Sequence, residues 1–210
     1  MLALGSNNFV SFNDASKQRQ EVWQGVDIAL SARLAGGTYL AGGISSGHTH
    51  FSNCGVTDKP DVRFCDYTTK FLTQIKFTGL HTWRWGIQTS VAFQSNPGNQ
   101  ILATWNATST DAKASLGRNL SSSSYSVELI QPGTQYNERV NQLDMRLAKI
   151  FKLGGRKRVQ GQFDMFNALN ANPVVNQSNT FSSNAVANQW LKPSTILIGR
   201  MFKFGASFDF

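Results

Sequence analysis

The chain has 210 residues, 40% of them hydrophobic but only 15% charged, against roughly a quarter in ordinary globular domains. Its net charge is +8, yet the cations are scattered singly apart from Arg156-Lys157-Arg158. No basic face with interleaved aromatics forms, which argues against nucleic-acid binding, and no apolar run reaches the ~18 residues of a membrane-spanning helix.

Gly, Ser, Thr, Asn and Gln take the place of the missing charges, a mixture that favours strands and turns over helices. The segments that alternate with period two are read as strands, because successive side chains of a strand point to opposite faces. In the first, Val26, Ile28, Leu30 and Leu34 oppose Asp27, Ser31 and Arg33. Residues 38–51 alternate weakly and are read as a strand by position. Phe71, Ile75 and Phe77 then oppose Gln74, Lys76 and Thr78. Trp83, Trp85, Ile87, Val91 and Phe93 oppose Arg84, Gln88, Ser90 and Gln94. Leu143, Met145, Leu147 and Phe151 oppose Gln142, Asp144, Arg146 and Ala148. Val159, Gly161, Phe163, Met165 and Leu169 oppose Gln160, Gln162, Asp164 and Asn170. The last strand is read from Ile196 to Phe210, with Phe202, Phe204, Phe208 and Phe210 on one side and Lys203, Gly205, Ser207 and Asp209 on the other. Arg200 interrupts its apolar row, by snorkelling to an interface or through a bulge that resets the register.

About seven strands result, longer than the 5–6 residues usual in soluble sheets and at least the ~9–11 that a tilted strand needs to cross a bilayer. Short turns (35–37, around 82–84, 153–156) alternate with long links rich in Asn, Ser, Thr, Gly and Pro (52–66, 96–138, 171–193). That rhythm is the one seen in outer-membrane barrels, with tight periplasmic turns and long outer loops. The fold is therefore expected to be all-β, a transmembrane antiparallel barrel segment located in the outer membrane. Its wet interior would be lined by Asp27, Arg33, Gln74, Lys76, Arg84, Gln88, Asp144, Arg146, Gln162, Asp164 and Lys203. Its lipid side and interfacial girdle would carry Trp83, Trp85, Phe163, Phe202, Phe204, Phe208 and Phe210, with Trp23 and Trp190 at the opposite rim. Seven strands cannot close such a barrel, and no signal peptide follows Met1. The chain is accordingly read as part of a longer protein, residues 1–20 being the remnant of an outer loop and 21–210 the C-terminal portion of the barrel.

Cys54 and Cys65 flank the turn-rich stretch Gly55-Val56-Thr57-Asp58-Lys59-Pro60-Asp61 and suit a local disulfide in an oxidising compartment; two unpaired loop thiols are the alternative. With His48 and His50 they also form a conceivable zinc set, set against surface histidines near a strand end, and no metal is assigned. Asp144 and Asp164, with Arg146, Gln162 and Lys203 around them, suit a lumenal ion-pair network rather than acid–base catalysis. No nucleophile-elbow, phosphate-loop or metalloprotease motif occurs, so neither an enzyme nor a cofactor is expected. Trp105, Tyr125 and Tyr136 lie in the longest link and are the candidates for ligand contact, unless that link packs on the barrel mouth.

Three stretches resemble TonB-dependent outer-membrane receptors: D-x-R-x-x-K-x-F at Asp144–Phe151, D-x-F-N-x-x-N at Asp164–Asn170, and the ending Phe208-Asp209-Phe210. Gln24-Gly25-Val26-Asp27, Phe71-Leu72-Thr73-Gln74 and Phe93-Gln94-Ser95-Asn96-Pro97-Gly98 resemble the Oar-like subgroup with a carboxypeptidase-regulatory domain. The resemblance covers nearly the whole chain and implies the last third or so of a 22-stranded barrel. It also implies uptake of a bulky nutrient powered through TonB, a plug domain and further strands lying outside this sequence, outer-membrane lipid around the barrel, and reading of Phe210 by the barrel-assembly machinery. As a residue, Phe210 equally suits an interfacial anchor. An adhesin or autotransporter-type barrel and a soluble β-rich binding domain are the alternative readings.

Overall fold

The computed structural model describes residues 20–54, 63–155 and 157–210. The expected loop remnant lies outside these residues except for Gln20, which opens the first strand, and so do the turn residues 55–61 and Arg156.

Seven strands form one antiparallel sheet: β1 (Gln20–Leu34), β2 (Thr38–Ser52), β4 (Leu72–Thr82), β5 (Ile87–Asn96), β8 (Val140–Gly154), β9 (Lys157–Phe166) and β13 (Met201–Asp209). They lie side by side in the order β1-β2-β4-β5-β8-β9-β13, and β3 (Asp66–Thr68) pairs with the outer end of β2. Each of the seven is a neighbour of the next in sequence, the simplest connection available to an antiparallel sheet. Three of them are 15 residues long and the other four run from 9 to 11.

The long links hold structure of their own. Link 97–139 contains β6 (Thr104–Thr108), α1 (Ser109–Leu116) and β7 (Ser124–Glu128); link 167–200 contains β10 (Val174–Gln177), β11 (Thr180–Phe181) and β12 (Pro193–Ile196). β11 joins β6 in parallel, so the two links share a three-stranded sheet, β11-β6-β7. All three long links leave the main sheet at one end; the three short turns lie at the other.

Three expected boundaries are corrected. Trp83, Arg84 and Trp85 do not begin a strand: Arg84–Gly86 is a 3-10 turn, with Trp85 at φ 62° and Gly86 at φ 73°, so the alternation starts only at Ile87. Leu169 and Asn170 lie beyond β9, which ends at Phe166 because Asn167 (φ 49°) and Asn170 (φ 51°) turn the chain. The final segment is two strands, β12 pairing with β10 and β13 pairing with β9. Arg200 sits in the break between them, neither snorkelling along the sheet nor forming a bulge. Its amide donates to Asn170 Oδ1 (3.0 Å) and its Nη2 to the Ala168 carbonyl (2.7 Å).

Register decides which side chains share a face. Phe204 pairs with Phe163, which pairs with Leu147, then Thr89, His81, Thr38 and Leu34. This line leaves β13 five residues before Asp209 but meets β1 at its last residue, Leu34. Toward the long links it lies three residues from Met201 and fourteen from Gln20. The strands are therefore staggered by roughly one to two residues per step, which at ~3.3 Å rise and ~4.8 Å spacing is a tilt of roughly 30–50°.

Along the same line the apolar rows of all seven strands fall on one face. Among the described residues no second layer covers that face. The buried apolar residues among those described are Cys65 and three alanines, Ala103, Ala107 and Ala148. Val26, Ile28, Leu30, Leu34, Ile44, Phe77, Met145, Leu147, Phe151, Phe202, Phe204 and Phe208 all share the bare face, each at least 40% exposed. Leaving such side chains about half uncovered forfeits on the order of 1 kcal/mol each, together about as much as the whole net stability of a domain. An apolar cover from outside these residues is therefore required.

Candidate functional site

The opposite face is polar, and it carries the residues expected to line an aqueous interior. Asp27 pairs with Ser45, Ser45 with Gln74, and Lys76 lies between Gly43 and Gln94. Arg33 stacks over the Tyr39 ring, 5.9 Å from its centroid. Gln88 donates to Thr82 Oγ1 (3.3 Å). Asp144, Arg146, Gln162, Asp164 and Lys203 share this face by register. Arg84 does not join them, because its turn takes it out of the sheet.

The best-organised part of this face is built from the two motifs. Arg146 on β8 pairs with Asp164 on β9 through both oxygens, at 2.5 and 3.1 Å, and Lys203 on β13 lies directly opposite Asp164. The Asp164 side chain is buried, although no second sheet covers it among the described residues. Beside it, Asp144 accepts from the Asn167 amide (2.8 Å) and from Gln142 Nε2 (3.0 and 3.1 Å); Gln142 in turn accepts from Gln94 (2.9 Å). Asn167 also donates through Nδ2 to the carbonyls of Ala171 and Ile198, both at 2.8 Å. The D-x-R and D-x-F-N patterns are thus two halves of one clasp: each aspartate binds a group supplied by the other segment. Charge-assisted, bidentate pairing of this kind fixes register as well as adding energy.

The apolar face carries Phe163, Phe202, Phe204 and Phe208 as expected, with Phe163 within 5.1–5.7 Å of the Phe202 and Phe204 rings. Phe210 follows the end of β13 and stacks on Phe208 at 5.8 Å. Trp83 and Trp85 stand at the short-turn end, in the turn rather than in a strand. Trp83 donates from Nε1 to Thr89 Oγ1 (2.9 Å) and meets His81 edge-on. The other rim differs from expectation. Trp23 lies on the polar face, its indole covering Gly25 and Gly47, where side chains in their place would collide with it. Trp190 is held inside a long link, bonded to the Leu102 carbonyl (2.8 Å) and edge-on to Phe181. Neither tryptophan stands on the apolar face as a girdle residue.

At the long-link end the apolar face closes on a polar border. Ser46 bonds to Thr73 (2.8 Å) and Ser95 to Asn141 (2.6 Å). Arg139 donates to Ser95 Oγ (3.1 Å) and to the carbonyls of Thr73 (2.6 Å) and Ser95 (3.0 Å). Arg139 escaped notice in the sequence because it precedes the alternating run.

Trp105, Tyr125 and Tyr136 are built into the links. Trp105 pairs with Val127 and Phe181, Tyr125 with Ala107, and Tyr136 bridges to Gln100. Burial raises the Tyr136 phenol above its ordinary pKa, and burial, then Glu128 and Glu21, does the same to Tyr67. Cys54 and Cys65 are joined in a disulfide at the base of the first long link. His50 bonds to Thr68 (3.1 Å) and approaches Asp66 (3.9 Å), while His48 packs on Phe71. Among the described residues no three His, Cys, Asp or Glu side chains gather as metal ligands.

Comparison with family models, curated proteins and solved structures returns no match. No helix among the described residues is long and apolar enough to cross a membrane, which leaves crossing by strands open.

Proposed function

We propose that this chain is the C-terminal barrel portion of an outer-membrane receptor of the TonB-dependent kind, through which a bulky nutrient is taken up. One observation carries the membrane reading. An apolar face continuous in register across seven strands lies bare, while the other face holds the ion pairs and amide networks. Hydrocarbon would cover a face of that kind, and hydrocarbon tolerates a sheet only when its edges are closed. β1 and β13 each keep a free edge among the described residues, so closure would come from further strands. The stagger of the strands is what a tilted barrel wall of 35–45° needs, and the short–long alternation of connections supports the same reading. The interlocked D-x-R and D-x-F-N motifs support the receptor family, whose plug would meet the polar face.

The test is fractionation. Expressed with an export signal in a Gram-negative host, together with the strands that close its edges, the chain should pellet with the outer membrane, resist urea extraction and dissolve only in detergent. Recovery as a folded, detergent-free monomer would overturn the proposal.

A further inference from the structure

The short-turn end holds a feature that transport does not use. Arg33, Arg84, Lys149, Lys152, Lys157 and Arg158 all lie there, and Asp209 is the acidic side chain that faces them among the described residues. Asp209 is engaged by Arg158 at 2.6 Å. Two of these cations lie where the apolar face meets the Trp83–Gly86 turn. Lys149 shares the face of Leu147 and Phe151, and its ammonium turns toward the short turn to reach the Trp85 carbonyl. Arg84 stands between Trp83 and Trp85 and makes no ion pair among the described residues. Trp83, Arg84, Trp85, Ile87 and Thr89 line a hollow of about 680 Å³ there. Trp85 is 82% exposed and sits at φ 62°, a backbone conformation that a bulky residue adopts only at a cost. The turn thus holds an aromatic ring outward, beside an unpaired guanidinium, where the apolar face ends.

The geometry points to this hollow as a binding site for the phosphate headgroup of an anionic phospholipid. The Arg84 guanidinium takes the phosphate in the hollow, the Lys149 ammonium on the Trp85 carbonyl adds positive charge beside it, the two indoles lie at headgroup level, and the acyl chains run along Ile87 and Thr89 toward Leu147. The cations match an anion, indoles prefer the headgroup layer, and the acyl path is already apolar. The inference rests on the proposed embedding in lipid, and the assay separates the two.

The protein, with the strands that close the barrel, is refolded into phosphatidylcholine vesicles, and the tryptophan emission of this portion is quenched with brominated phosphatidylglycerol or brominated phosphatidylcholine. Phosphatidylglycerol should quench more strongly at equal mole fraction. Arg84→Gln and Lys149→Gln should each cut that preference about fivefold, the effect of one cation near an anionic surface. Arg33→Gln, the same charge change on the polar face, should leave it intact, and inorganic phosphate should not relieve the quenching. Equal quenching by both lipids, an equal loss in Arg33→Gln, or relief by free phosphate would overturn the site while the embedding stands. Absence of quenching by either lipid would overturn the embedding itself.

Discussion

Arginine at position 147 tests the sidedness of the sheet at its centre. Leu147 pairs with Thr89 and Phe163, near mid-height of the apolar face, and is half exposed. If hydrocarbon covers it, Leu147→Arg costs about 2–4 kcal/mol, the penalty for a cation at the midplane of a barrel wall. That is a fall of roughly thirty- to a thousandfold in the folded-to-unfolded ratio. If water covers it, the change belongs with ordinary surface substitutions, within about 0.5 kcal/mol. Thr78→Arg is the matched control. Thr78 lies on the polar face between Ala41 and Ala92, which leave space for the longer side chain. Urea unfolding of both variants in lipid vesicles, followed by heat-modifiable gel migration, gives the two penalties side by side. Equal costs at 147 and 78 would refute the assignment of faces.

Three further outcomes follow from the geometry. Arg146→Ala strands the buried Asp164 carboxylate and should cost about 3–5 kcal/mol in the same unfolding assay, whereas the paired change Arg146→Leu with Asp164→Leu should recover most of it. Cys54 and Cys65 close a loop with a sequence separation of 11; they should resist alkylation until reduced, and reduction should cost about 3 kcal/mol by loop-closure entropy. Asp111 caps α1 by accepting from the Thr108 amide (2.8 Å) and hydroxyl (2.7 Å), bonds that hold its carboxyl below the ordinary 3.8. A depressed folded pKa gives stability that is present above the unfolded value and lost as pH falls through the folded one. Amide exchange across Ser109–Leu116 should therefore be unchanged at neutral pH and lose protection only below the usual carboxylate range; in Asp111→Asn it should be faster at neutral pH too.

Six of the seven long strands were legible because apolar and polar side chains alternate with a period of two; β2 alternates weakly and was legible by its position between two others. The clasp of Asp144, Arg146, Asp164 and Lys203 was legible in part, since parity fixed the face, but the partnership of Asp144 with the Asn167 amide was not. That bond depends on the chain leaving β9 at a left-handed asparagine. The Trp83–Gly86 turn was misread because tryptophan at alternate positions imitates a strand. Gly86, directly after Trp85, was the available warning. The small strands of the links went unseen: at two to five residues they carry no period, and β6 meets β11 only through the pairs Thr104 with Thr180 and Trp105 with Phe181. α1 did leave a local sign, Thr108 and Asp111 as a capping box with Gly117 left-handed at the other end.

The parallel ladder between β6 and β11 makes the two outer links one mechanical body. A load applied at Trp190 reaches Leu102 through a single hydrogen bond, and Asn99 grips the carbonyl of Val175 across the same gap. Grafting an epitope between α1 and β7 should leave this canopy seated, whereas cutting the backbone near Thr180 should loosen both arches together.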